Sequence, residues 1–431
     1  MNDSENVFAV ILAGGQSNRL FPFNKVLSDL TGQGRSLIQQ SYDRLVKSSA
    51  NVRPSPLVSP GQTFILTTAP MVLPIRAQLP LPTAHIFVDP ARRGTWPAIL
   101  WAMAHLRMKN PEAVLAIVTA DHIIPDVRAF RLGVAAAIHQ AATEPAVVLL
   151  GVKPTPKPSD WLGFGCFKMG RLPGNAKAGV RRLIGFDEKP ALEKASMMIS
   201  ERAWVWNAGM FFFRISLAER ALTLFHPEMS KTYQSVVAAL SKGDMIKAKK
   251  IYQDFPLQIQ HPSDPNRMVD NTIDYAMIPH WLRQPGDHGV LYGLSNALPR
   301  WADVGEWVAL RGLLKPDRRE NVRLGRVILD AKTRRCIVSA DQGLAISVKG
   351  LEDAVVAFSQ NTAFIFALDP ARGVKEVVAG FRQRSNEKVI LSESDCRVLC
   401  KGGRVVVHGL SGLNVKLVKN QLSVVGRQGV L

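Results

Sequence analysis

The chain has 431 residues, enough for one sizeable domain and a smaller one. Hydrophobic residues make up 47% and charged residues 21%, the balance of a globular protein rather than a disordered one. The net charge of +19 attracts anions in general, but Lys and Arg are spread along the chain and the tightest cluster is Lys247, Lys249 and Lys250. This is no nucleic-acid footprint; the charge is read as collecting phosphorylated substrates or as adaptation of the host.

The N-terminus runs from polar residues straight into a strand-like VFAVILAGG, so no signal peptide is expected. The longest apolar runs, 7–13 and 98–104, fall far short of the roughly 20 residues that span a bilayer. A cytoplasmic protein without a membrane partner is the expectation. Cys166, Cys336, Cys396 and Cys400 lack zinc spacing and are expected to be reduced thiols. Residues 7–13 form an unbroken apolar run ending in Gly14-Gly15, as a buried parallel strand entering a loop would. Strand-like runs return at 63–67, 85–88, 114–119 and 146–152, with helix-like stretches at 97–108 and 127–142. This alternation implies an α/β fold, a Rossmann-like, mostly parallel sheet with helices on both faces and ligands beyond the carboxyl ends of its strands.

From about residue 320 the texture changes to short β-like segments. Segment 343–366 aligns without gaps to 402–425, at an offset of 59 residues. Gly343, Val348, Gly350, Leu351, Val356 and Asn361 recur as Gly402, Val407, Gly409, Leu410, Val415 and Asn420. Two copies favour stacked β coils. With a polar, proline-containing stretch at 311–322, the expected organisation is an α/β domain over 1–315, a β-rich domain over 316–384, β-helix-like in character, and an added β segment over 385–431. The β-rich part is expected to pack against the first domain or to mediate self-association into a homo-oligomer.

The chemistry-bearing stretch begins at Leu12 with LAGGQSNRLFPFNK. Glycines in a turn after a strand let backbone N–H groups approach a polyphosphate, and Arg19 and Lys25 add cationic donors. A tight turn with solvated charges reads equally well from these residues alone. The spacing is neither that of a dinucleotide fold nor that of a P-loop. Asp121, just after the apolar run 114–119, reads either as a turn or capping residue or as a carboxylate at the ligand edge of the sheet.

Several segments together resemble the sugar nucleotidyltransferases, and within them the mannose-1-phosphate guanylyltransferase branch. The opening stretch is similar to that family's L-A-G-G-x-G-x-R-L-x-P, followed by DPARRGTWPAI (89–99), TADHII (119–124), FDEKP (186–190), WVWNAGMFFF (204–213), DNTIDYAMI (270–278) and WADVGEW (301–307). They come in the family's order, and the likeness continues through NVRLGRVILDA and VKGLEDAVV, covering roughly 7–384.

The resemblance implies a transferase that joins GTP to α-D-mannose 1-phosphate, giving GDP-mannose and pyrophosphate with Mg2+. It implies that Leu12, Ala13, Gly14, Gly15, Arg93 and Thr95 bind the nucleotide, and that Arg19, Lys25 and Lys189 act catalytically on the phosphates. Asp121 and Asp303 are implied as the metal carboxylates, since Mg2+ takes hard oxygen ligands and the phosphates complete its shell. Glu188, Lys189, Asn207, Gly209 and Asp274 are implied for the sugar phosphate, whereas Trp204, Trp206 and Phe211 to Phe213 read as core. His122 reads as a packing residue or one that supports Asp121.

The chain departs from the pattern at Ser17, which replaces the third glycine, and in PFNK, which shortens the approach to Lys25. It departs again at Gly94 and Trp96, which replace Asn and Ala and bear on guanine selectivity. No His cluster resembling the family's appended isomerase occurs in 385–431, so no isomerase activity is expected. The alternatives are another hexose-1-phosphate nucleotidyltransferase using UTP or TTP, or a non-catalytic regulatory homologue.

Overall fold

A computed structural model describes residues 6–15, 20–48, 56–155, 163–171, 179–201, 203–295, 297–303, 307–368, 387–391 and 396–426. Up to residue 303 the strands are β1 (Val7–Leu12), β2 (Thr63–Thr67), β3 (Ile86–Val88), β4 (Val114–Thr119), β5 (His122–Ile123), β6 (Ala146–Val152), β7 (Gly165–Met169), β8 (Arg181–Glu188), β9 (Trp204–Arg214), β10 (Gln258–His261), β11 (Asp264–Asp270), β12 (Val290–Leu294) and β13 (Ala302–Asp303). The first helices are α1 (Leu37–Val46), α2 (Val72–Gln78), α3 (Thr95–Leu106) and α4 (Val127–Thr143). The chain forms two compact units, neither continuous in sequence: Met1–Gly14 with Ser41–Ala120 and Ile124–Trp301, and Gly15–Gln40 with Asp121–Ile123 and Ala302–Leu431.

The first unit is built on a 9-stranded sheet ordered β3-β2-β1-β4-β9-β6-β12-β8-β7. Only β8 and β9 oppose the common direction, so the sheet is mostly parallel as the alternation of strand and helix implied. The unbroken apolar runs became β1, β2, β4 and β6, buried along nearly their whole length as strands covered on both faces must be. α3 is apolar almost all round and correspondingly buried, while α4 starts at Asp126, whose carboxylate accepts from the Ala129 N–H at 2.9 Å. Phe211, Phe212 and Phe213 of β9 are core, and Trp206 is buried beside them.

The second unit carries β14 (Val322–Leu324), β15 (Arg326–Leu329), β16 (Ile337–Ala340), β17 (Ala345–Lys349), β18 (Ala354–Ser359), β19 (Thr362–Ala367), β20 (Val389–Leu391), β21 (Arg397–Lys401), β22 (Arg404–His408), β23 (Leu413–Val418) and β24 (Gln421–Gly426). They form two sheets, β14-β16-β18-β19-β22-β20 and β15-β17-β24-β23-β21. The sequence repeat maps β17, β18 and β19 onto β22, β23 and β24 residue for residue. Each sheet is assembled from both copies: β17 pairs parallel with β24, and β19 with β22. The exchange is reciprocal down to single bonds, since the Ala345 N–H donates to the Asn420 carbonyl (2.9 Å) and the Arg404 N–H to the Asn361 carbonyl (2.8 Å).

The recurring glycines have a backbone reason. Gly343 and Gly402 have φ of 81° and 86°, and Gly350 and Gly409 of 60° and 66°, a left-handed conformation open to glycine at little cost. Beside these sheets, Leu20, Phe23, Leu30 and Leu37 pack with Trp307, Val322, Leu324 and Phe364, which anchors residues 20–40 in this unit.

Candidate active site

In the first unit, the carboxyl end of β1 is pinned by its neighbours. The Ala13 N–H donates to the Leu66 carbonyl (2.8 Å), the Thr67 hydroxyl donates to the Ala13 carbonyl (2.8 Å), and the Ala120 N–H donates to the Leu12 carbonyl (3.0 Å). Neither Gly14 nor Gly15 is among the left-handed glycines, and a Cβ on Gly15 would meet no heavy atom within 4 Å. Backbone conformation therefore does not demand glycine here; what glycine provides is clearance. Arg19 and Ser17 lie outside the described residues.

The 89–99 segment forms the entry to α3. Gly94 has φ 109°, and a Cβ on it would stand 2.1 Å from the Asn271 carbonyl oxygen, while the Trp96 N–H donates to that same oxygen at 3.2 Å. Trp96 is fully buried in the main core. These two departures from the family pattern are thus a packing arrangement at the helix start. Arg93 is half-buried beside Tyr252, whose phenol is pushed up first by burial and then by the Asp89 carboxylate; Thr95 is exposed.

At the end of β8, Glu188, Lys189, Asn207, Gly209 and Asp274 come together. Asn207 of β9 donates from Nδ2 to Asp274 Oδ1 (2.8 Å) and accepts at Oδ1 from the Gly209 N–H (3.0 Å). The register of β9 against β6 shifts between Leu149↔Phe211 and Gly151↔Asn207, a bulge that contains Gly209 at φ 64°. Lys189 is left-handed (φ 53°), which breaks the strand's alternation and brings Nζ within 3.7 Å of Glu188 Oε1.

Two mostly buried carboxyls are thus neighbours. Burial pushes Glu188 up to about 8, reinforced by the Asp274 carboxylate and opposed by Lys189. Asp274 is raised to about 6 by burial, opposed by its own backbone N–H, Lys189 and Asn207. One residue that the motifs did not flag is Gly165, paired with Glu188 across β7 and β8; its Cβ would stand 2.2 Å from Glu188 Oε2. A glycine inside a strand-like run was the available signal of close approach. Cys166, next to it, has its thiol pushed up to about 12 by burial and by Glu188.

In the second unit, Lys25, Asp121 and Asp303 meet. Lys25 Nζ donates to Asp121 Oδ2 (2.8 Å) and also to Asp303 Oδ1. The side chain of Lys25 is 6% exposed, against 35% and 36% for the two aspartates. β5 and β13 pair antiparallel with His122 opposite Asp303, which is what brings two residues so distant in sequence to one ammonium. His122 Nε2 lies 3.8 Å from Asp121 Oδ1. Burial raises the Asp121 carboxyl, but His122 and Lys25 outweigh it and hold the group below the ordinary range. Lys25 is presented by a turn in which Asn24 Oδ1 accepts from the Val26 N–H (3.1 Å), with the Val26 carbonyl tied to the Ile38 N–H (2.9 Å).

Two hard carboxylate oxygens converging on one cation, open on one side, suit a Mg2+ ion that takes one or two protein carboxylates and fills its shell with phosphates and water. Among the described residues no group of three or more His, Cys, Asp and Glu side chains converges. Among them, too, no helix is long and apolar enough to cross a membrane.

The nucleotidyl transferase family model matches residues 8–318, and a mannoseP isomerase/GMP-like beta-helix domain model matches 325–380. The alginate biosynthesis protein AlgA of Pseudomonas putida is 30% identical over 382 residues, covering 86% of this chain and 70% of that protein. Mannose-1-phosphate guanylyltransferase RfbM of Salmonella typhimurium is 28% identical, covering 86% of this chain and 71% of its own length. A crystal structure from Thermus thermophilus, described as a mannose-1-phosphate geranyltransferase, superposes with TM-score 0.68 at 26% identity, over 88% of this chain and 99% of that one.

Proposed function

This chain belongs to the nucleotidyl transferase family, and we propose that it joins GTP and α-D-mannose 1-phosphate into GDP-mannose and pyrophosphate. A phosphate oxygen of the sugar phosphate attacks the α-phosphorus of GTP; the new O–P bond forms as the bond from that phosphorus to the β-phosphate oxygen breaks, and pyrophosphate carries away the electron pair. The nucleophile is already an anion near neutral pH, so no general base is required. The demand is to bring two polyanions together and to stabilise the leaving charge.

The observation that carries this reading is the convergence of Asp121 and Asp303 on Lys25 in a chain of this family. Asp121 and Asp303 would hold Mg2+, which when bound supplies charge compensation for the triphosphate. Lys25 and Arg19 are assigned to the phosphates of the nucleotide, and Leu12 to Gly15 to its close approach. Arg93 and Thr95 are assigned to its base or ribose. Glu188, Asp274 and Asn207 offer acceptors and a donor suited to sugar hydroxyls, and Lys189 a cation for the sugar phosphate.

A turnover matrix tests the proposal: GTP, UTP, ATP and TTP, each against mannose 1-phosphate and glucose 1-phosphate, read as pyrophosphate release. GTP with mannose 1-phosphate is expected to lead by at least tenfold; a UTP or TTP pair in first place overturns the substrate assignment. Asp121→Ala is expected to abolish Mg2+-dependent release, and unchanged release would remove Asp121 from the metal.

A further inference from the structure

We propose that Lys25 is the resident counter-ion of the Asp121–Asp303 pair, a charge that a divalent cation has to displace, so that metal and nucleotide bind together rather than singly. The inference rests on the reading of the two aspartates as metal carboxylates.

The geometry supports it in three ways. First, the ammonium donates to one oxygen of each carboxylate, so it stands between the two groups that a bridging metal would use. Second, the cation approaches from the protein side, with its side chain 6% exposed, while the carboxylates are about one-third exposed. A metal arriving from solvent meets oxygens whose charge Lys25 already partly neutralises. Third, Lys25 is held by the Asn24 turn and the Val26–Ile38 hydrogen bond, so its position is built in rather than a chance surface pairing.

A buried ammonium stripped of its partners is costly, and it then requires another anion. The substrate class of the proposed reaction provides one. A nucleoside triphosphate that draws Lys25 to its phosphates leaves two unpaired carboxylates, and these take the divalent ion that the same phosphates help to ligate. Metal binding therefore promotes nucleotide binding and the reverse, by the same factor.

The test is Mn2+ binding to the nucleotide-free, full-length protein, followed by the loss of the free-ion resonance signal. Lys25→Met is expected to bind Mn2+ tighter than the unaltered protein by about tenfold, within the usual range of such couplings. Lys25→Arg keeps the weak binding, and adding Asp121→Asn to Lys25→Met removes the gain. Affinity in Lys25→Met equal to or below that of the unaltered chain overturns the proposal. Amine acylation of Lys25 in the unaltered protein, quantified by mass spectrometry, gives a second reading that needs no folding of a variant. Saturating Mg2+ is expected to raise the labelling rate several-fold, and an unchanged rate overturns the proposal. Neither measurement includes a sugar phosphate or turnover, so failure of the transferase reading shows in the turnover matrix instead.

Discussion

Asn207 donates to Asp274 at 2.8 Å while its own carbonyl oxygen caps the Gly209 N–H at 3.0 Å, so one side chain fixes both an acidic wall and the bulge beside it. The bulge re-aims β9 where it would otherwise continue straight past β6, and the asparagine is what ties that local geometry to a residue 67 positions later in the chain. Replacing it with Ala removes a hydrogen bond to a charged group, worth about 1.5–3 kcal/mol when its partner stays buried. We expect Asn207→Ala to raise KM for the sugar phosphate by about tenfold or more with a smaller effect on KM for the nucleotide. Initial-rate kinetics with each substrate varied in turn reads this directly; equal changes in both constants would sink it.

The Glu188–Asp274 pair predicts a pH dependence. Both carboxyls are raised on folding, Glu188 to about 8 and Asp274 to about 6, and as neighbours they titrate as a pair. The folded chain holds protons that the unfolded chain has already released, so the associated stability is complete below about pH 4 and is lost as pH rises through 8. The urea midpoint is expected to fall between pH 5 and 9, and Glu188→Gln to flatten that fall. A midpoint that rises over this range, or the same slope in the variant, would contradict the assignment. Sugar phosphate binding is expected to weaken above pH 8, where two carboxylates face an anion.

Gly94 gives a prediction against the family pattern. With φ 109° and 2.1 Å between its would-be Cβ and the Asn271 carbonyl oxygen, restoring Asn at this position strains the backbone and drives a side chain into a main-chain atom. Gly94→Asn is expected to destabilise the protein by roughly 2 kcal/mol or more, the scale of a strained non-glycine residue plus steric displacement. Thermal unfolding would show it as a drop of several degrees, with no gain in selectivity for GTP over other nucleotides.

Much of this molecule was legible before its coordinates. The runs that became β1, β2, β4 and β6 are unbroken and apolar because both faces of the sheet are covered, and that pattern has few other readings. The cluster of Glu188, Asn207, Gly209 and Asp274 was reachable through motif resemblance, not through spacing, since its members come from three separate elements. The resemblance put Asp121, Asp303 and Lys25 in one site, but the direct ion pairs of Lys25 with both aspartates were not legible. They depend on a two-residue strand pairing, Ala302↔Ile123 and Asp303↔His122, too short to leave any periodicity. Nor could Gly94 and Trp96 be recognised as a packing exchange, because the partner is a main-chain oxygen at Asn271, which has no sequence signature. The repeat at 59 residues announced two copies but not their reciprocal pairing: alignment gives equivalence, and which strand lies beside which is a long-range choice.

That reciprocal pairing leads to a last prediction. In one sheet Ile365 lies between Val356 and Val407; in the other its repeat equivalent Val424 lies between Val415 and Val348. All six are buried, and each sheet takes strands from both copies, so neither copy can open without breaking the other's ladder. Ile365→Ala is expected to cost about 2–5 kcal/mol and Val424→Ala somewhat less, since fewer buried methyl groups are lost. Hydrogen exchange followed by mass spectrometry should therefore show Val424→Ala, in the C-terminal copy, speeding exchange in β17 and β19 of the first copy as well as in β22 to β24. If protection were lost only within 404–426 while 345–367 kept that of the unaltered protein, the two copies would be independent coils and the pairing described here would carry no energetic weight.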